Sequence, residues 1–143
     1  MNLVIGCDAL LIEQSKLIAE QSNALGLEFD GSDRSSQYAI LYDGMLPIGT
    51  ARLTLHGKCV IINQLAIITK YQADEQVHFL LESLIKYVRR QGITRLEAHT
   101  TDEAQAYYQN VGFEFVEQVD VVGHFRLSHM RLWIQKRELC QSP

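Results

Sequence analysis

The chain is short of the residues that interrupt or staple a fold. Only two prolines occur in 143 residues, and with no low-complexity tract there is no visible linker or boundary. Cys7, Cys59 and Cys140 are odd in number and widely spaced. No C-x-x-C pair points to zinc and no even set points to a disulfide framework, so they read as reduced thiols of a cytoplasmic protein. A basic excess is also missing. Seventeen acidic against 13 basic residues leave a net charge of −4, which argues against a nucleic-acid partner. Lys86, Arg89, Arg90 and Arg95 do gather, but near a helix C-terminus, where they complement the helix dipole. No run of 18 apolar residues exists, and MNLVIGCDALLIEQ lacks the basic start and long apolar stretch of a signal peptide. Neither a membrane span nor a secretory leader is expected.

What remains is ordinary globular material, 47% hydrophobic and 21% charged, enough for one domain over residues 1–143 with a continuous core. After a short extended start, Asp8 is placed to cap a helix running to about Leu25 and closed by Gly26, with Leu10, Leu11, Leu17, Ile18, Ala24 and Leu25 as its apolar residues. YAILYDGMLPIGTARLTLHGK predicts two strands around a turn at Asp43-Gly44, with a second turn near His56-Gly57. The β-branched run from Cys59 to Thr69 predicts a further strand.

The clearest pattern lies in the middle of the chain. Val77, Leu80, Leu81, Leu84, Ile85 and Val88 form one apolar stripe at helical spacing, predicting a helix over Asp74–Gln91 that Gly92 stops. TRLEAHT follows as a strand, then a short helix in DEAQAYYQN that Asp102 is placed to start, then the strands FEFVEQV and HFRLSHMRLWI. Helix, three strands, long helix, strand, short helix, two strands: this order predicts an α/β fold with a mixed central sheet of six to seven strands flanked by helices.

Few residues suit a metal. His124 and His129 are five apart on a predicted strand and so face opposite sides, and His56 sits at a turn tip. No metal is expected, and no nucleophilic Cys/His pairing is visible.

Four segments, in order and each on the expected element, resemble the GNAT superfamily of N-acetyltransferases, particularly its small bacterial ElaA-like branch. AEQSNALGLEFDGSD is similar to E-Q…E-x-D-x-x-D; DGMLPIGTARL to the hairpin D-G-x-P-V-G-T-A-R-L, with one extra residue before the proline; LAIITKYQADEQVHFLL stands where the family has L-A-V-x-P-x-Y-R-G-x-G-x-G-x-x-L-L; and AQAYYQNVGFEFV matches A-x-x-F-Y-x-x-x-G-F. The resemblance implies transfer of an acetyl group from acetyl-CoA to an amine, bound where two central strands splay apart. Those strands would be Asn63–Ile68 and Leu96–His99, with the backbone of Leu65, Ala66 and Ile67 pairing with the pantetheine arm. The same resemblance makes Tyr108 the donor to the departing thiolate. A phenol with a pKa near 10 can serve as a hydrogen-bond donor while charge builds on sulfur, where stabilisation accelerates the step. Packing of Tyr108 against the sheet is the structural alternative. His99, which titrates in the useful range, is the candidate base. Asn63 would face the substrate, and the segment with Glu28, Asp30 and Asp33 would wall the acceptor site, with a solvated turn as the alternative reading of Asp30 and Asp33.

One segment departs from the family. The pattern [QR]-x-x-G-x-[GA], which holds the pyrophosphate on helix-terminal N–H groups, aligns with Gln72, Ala73, Asp74, Glu75, Gln76 and Val77, followed by His78. Only Gln72 agrees. Asp74 and Glu75 suit the first turn of a helix without any ligand, and as neighbours of a diphosphate they repel it. Two functions from different classes follow: an N-acetyltransferase acting on a small-molecule or peptide amine, or a catalytically silent GNAT-fold binding module. The tail RLWIQKRELC offers a strand through which a homodimer would pair.

Overall fold

The computed structural model describes residues 1–21, 36–68, 70, 74–102, 104–121 and 125–134. Leu25, Gly26, Glu28, Asp30, Asp33, Gln72, Ala73, His124 and Cys140 lie outside the described residues. Along the chain run β1 (Asn2–Gly6), α1 (Ala9–Gln21), β2 (Ser36–Asp43), β3 (Leu46–His56), β4 (Cys59–Ile67), α2 (Asp74–Arg90), β5 (Arg95–Thr100), α3 (Gln105–Asn110), β6 (Glu114–Val121) and β7 (Phe125–Trp133). The described strands make one seven-stranded sheet in the order β1-β2-β3-β4-β5-β7-β6. Every neighbouring pair is antiparallel except β4 and β5, which run parallel because α2 carries the chain back between them.

Local chemistry explains the elements. Gly44 and Gly57 both take φ of 63°, the left-handed conformation that lets the β2–β3 and β3–β4 hairpins turn tightly. The α2 stripe is buried as its spacing requires: Val77, Leu80, Leu81, Leu84, Ile85 and Val88 all face inward. They meet Leu53, Ile62, Leu96 and Ala98 from one face of the sheet, and Tyr108 and Phe113 from the α3 side, in one core cluster.

On the opposite face lies α1. Asp8 caps it, Oδ1 accepting from the Leu11 amide at 2.9 Å. The apolar face expected for this helix is partly wrong: Leu10 and Leu17 are exposed, at 78% and 47%, whereas Ser15 and Ile18 are buried. The reason is a polar pairing. Ser15 donates its hydroxyl proton to Thr50 Oγ1 at 2.6 Å, and Thr50 in turn donates to the Ala39 carbonyl at 2.8 Å, so a serine can occupy the seam. A second correction concerns α3. Asp102 does not cap it: the helix begins at Gln105 after Ala104 with no side-chain cap, because the Asp102 carboxylate accepts from Ser128 Oγ at 3.1 Å across to β7.

Candidate functional site

Two irregularities of the sheet coincide. The β3–β4 register steps from Leu53↔Ile62 to Arg52↔Gln64, which leaves Asn63 as the extra residue of a β-bulge. The parallel β4–β5 pairing ends one residue earlier, at Ile62↔Ala98. A bulge bends its strand and increases the local twist, so β4 is turned away from β5 just where their ladder stops. Beyond that rung β4 continues to Ile67 against β3 alone, and β5 to Thr100 against β7 alone. The cleft between them is bordered by a strand edge whose N–H and C=O groups on the β5 side have no sheet partner among the described residues.

Both lips of the cleft are polar on the α1 face. Asn63 gives an amide proton to Thr54 Oγ1, which meets Ser36 Oγ at 3.1 Å, and Ser36 accepts from Arg52 Nε at 3.2 Å. This chain across β4, β3 and β2 anchors Asn63. On the other lip His99 stacks on His129 of β7, ring centroids 5.0 Å apart and planes 24° from parallel. His129 Nε2 lies 2.6 Å from Glu97 Oε1, and Arg95 Nε lies 2.5 Å from Glu97 Oε2. Burial, then the charge of His129, holds the His99 imidazole below its ordinary range, so the ring is neutral near pH 7 and its free nitrogen can accept a proton. Burial opposes ionisation of Glu97, yet the hydrogen bond from His129 and the charge of Arg95 prevail and keep it below the usual carboxylate range. Cys59 touches both Glu97 and Arg95, but burial pushes its thiol up, which is the wrong direction for a nucleophile.

Tyr108 lies in the core between the sheet and the helices, 3% exposed, its ring edge-on to Phe113 at 5.2 Å. Burial holds its phenol well above the usual range, so the hydroxyl keeps its proton and acts as a donor only. Phe113 and Val111 both donate backbone N–H to the Tyr108 carbonyl, and Gly112 between them takes φ of 107°. That conformation is why the motif ends in glycine before Phe113.

At the start of α2, Asp74 and Glu75 are exposed and Val77 is buried, as the stripe requires. Asp74 accepts a hydrogen bond from Tyr107 of α3, and this contact, after burial, raises the Tyr107 phenol. His78 turns outward to within 3.8 Å of Glu82. Gln76 carries a buried Oε1 with no donor in reach, an orphan that a bound group would satisfy. An open groove of about 470 Å³ lies along this helix beside Asp74, Glu75, His78, Glu82, Lys86 and Tyr107. It takes no residue from β4 or β5, so it is separate from the cleft.

Of the residues singled out from the sequence, Asn63 and His99 come together at the cleft, Leu65, Ala66 and Ile67 lie on its open edge, and Asp74 to His78 open the helix. Glu97 and His129 were missed. Alternation along RLEAHT already puts Arg95, Glu97 and His99 on one face. Placing His129 beside them needs the β5–β7 register, which no local pattern carries. Among the described residues no group of three or more His, Cys, Asp or Glu side chains is arranged to hold a metal ion, and no helix is long and apolar enough to cross a membrane.

Comparison with known proteins gives an independent line. Residues 13–134 match the model of an acetyltransferase (GNAT) domain. A Bacillus subtilis (strain 168) protein that bears a provisional acetyltransferase name is 25% identical over 108 residues, 73% of this chain and 74% of its own. In structure, a Lactobacillus plantarum protein with a provisional N-acetyltransferase name superposes with a TM-score of 0.77 at 22% identity, covering 94% of this chain and 98% of that one. A Bacillus subtilis acetyltransferase in complex with CoA gives 0.73 at 14% identity over 94% and 99%. At such identities the structural likeness speaks for the fold.

Proposed function

Because this chain belongs to the GNAT family of acetyltransferases, we propose that it moves an acetyl group from acetyl-CoA to a primary amine at the parting of β4 and β5. The observation that carries the proposal is the bulge at Asn63 together with the unpaired β4 edge beyond Ile62. An edge of free amides and carbonyls suits the amide-bearing arm of CoA, and a protein of the same fold is an acetyltransferase in complex with CoA. The residues fit the group at Leu65, Ala66 and Ile67 through their main chain, and at Gln76 through its buried, unpartnered Oε1, an acceptor for an N–H or O–H of the group. Asp74 and Glu75 fit it less well, although Tyr107 holds the Asp74 carboxylate.

Acetyl-CoA supplies the acetyl group as a thioester. The chain's own residues handle the protons. A neutral His99 accepts one from the acceptor's ammonium form, which frees the amine lone pair for attack. Asn63, fixed by Thr54, offers its carbonyl oxygen to orient the amine. Tyr108 stands as the hydrogen-bond donor to sulfur as the carbon–sulfur bond breaks, keeping its own proton, and the departing thiolate takes a proton from water to become the free thiol. The acceptor is a small-molecule or peptide amine.

The test pairs binding with turnover. Acetyl-CoA at 100 times its dissociation constant adds about 2.7 kcal/mol of stability, seen as a rise in melting temperature. Thiol release should then depend on an added amine, probed with spermidine, glucosamine and a peptide with a free N-terminus. The acidic opening of α2 favours one other reading, a silent binding module. Under it, acetyl-CoA produces neither the shift nor thiol release.

A further inference from the structure

His99 is not an isolated histidine. On the α1 face of the sheet its side chain meets His129 from β7 and lies beside Glu97 on its own strand. The charged or titratable groups around this cluster are Arg95 and Glu97 on β5, Arg131 on β7, Cys59 on β4, and Glu114 and Glu117 on β6 opposite Arg131 and His129. Glu97 is the hub. One oxygen takes His129 at 2.6 Å, and the other takes Arg95 at 2.5 Å with Arg131 more distant at 3.9 Å. With Glu97 fixing one ring nitrogen, His129 cannot rotate away, and its face is presented to His99 at the mouth of the cleft.

Resting on the transferase reading, we propose that Glu97 and His129 are positioning residues for that reaction: Glu97 locks the His129 ring, and the face of that ring holds His99 against the lip of the cleft. The proton path stays short. His99 takes the acceptor's proton on a ring nitrogen and returns it to water, while His129 and Glu97 exchange none with the substrate. Burial first, and then the charge of His129, lowers the titration of His99, in keeping with the stacked geometry.

Two variants separate charge from packing: His129→Gln removes both ring and charge, and His129→Phe keeps a ring without charge. In the unliganded protein, the imidazole NMR titration of His99 is expected to move upward in both variants by about 0.6 of a pH unit or more, the effect of losing one charge at 5.0 Å even in a water-like dielectric. The acid limb of kcat/KM, measured with the fastest amine of the panel above, should move up with it. That lowers the rate about fourfold on the limb and leaves KM for acetyl-CoA unchanged. A His99 titration that stays in place in both variants, or one that moves without the kinetic limb following, overturns the proposal. Absence of turnover in the wild type overturns the transferase reading instead, and a His99 midpoint that still moves tells the two failures apart.

Discussion

Asn63 and His99 are the first residues of β4 and β5 beyond the last rung that joins those strands, Ile62↔Ala98. One belongs to a bulge and is tied to Thr54; the other is stacked on His129. The cleft is thus made by backbone irregularity and finished by two side chains that point to the same face.

Tyr108→Phe tests the donor to sulfur. The ring stays against Phe113 and only the hydroxyl is lost, so the melting temperature should change by no more than a few degrees. Turnover should fall by roughly 10²-fold or more, with the acetyl-CoA-induced thermal shift retained. Steady-state kinetics and a thermal melt on the same preparation check both halves.

Charge at the opening of α2 can be removed without touching the core. Asp74→Asn with Glu75→Gln should strengthen CoA binding by about thirtyfold, since each carboxylate some 4 Å from a phosphate costs about 1 kcal/mol in water-like surroundings. Helix stability should drop by about 0.3–1 kcal/mol for each lost charge. Extending the change to Val77→Gly is a poor design: Val77 is 4% exposed, and its loss would unfold part of the stripe that packs α2. Calorimetric titration of CoA into both proteins measures the gain.

The two helices give contrasting stability predictions. Leu84→Ala, at a fully buried site of α2, should cost about 2–5 kcal/mol in a urea melt. Leu17→Ala, on the exposed side of α1, should fall within about 0.5 kcal/mol of the parent. This contrast also marks what the sequence made legible. In α2 six apolar residues repeat at helical spacing with no exception, so both the element and its buried face could be read. In α1 the same reading misplaced Leu10 and Leu17, because the seam is made by the Ser15–Thr50 hydroxyl pair, and a buried serine looks like a surface residue until its partner is known. The site divides along the same line. His99, Asn63 and Tyr108 could be picked out by motif. The bulge at Asn63 and the Glu97–His129 pair depend on register between strands distant in sequence, which no local periodicity encodes.

Acid should loosen the fold in two stages. Both His99 and Glu97 have folded-state pKa values below their ordinary ones, near 6.5 and 4.5, so at low pH the unfolded chain binds more protons than the native one. Stability contributed by a depressed group is present above its ordinary value and lost as pH falls below it. The melting temperature should therefore decline first as pH drops below about 6.5 through His99, and again below about 4.5 through Glu97. His99→Gln should abolish the first decline and keep the second, as melts across pH 4 to 8 would show.

The central claim is that the open β4 edge between Asn63 and Ile67 receives acetyl-CoA, and isothermal titration of acetyl-CoA into the protein tests it most directly. A one-to-one isotherm in the micromolar range is the predicted result. No heat of binding at millimolar acetyl-CoA would contradict it.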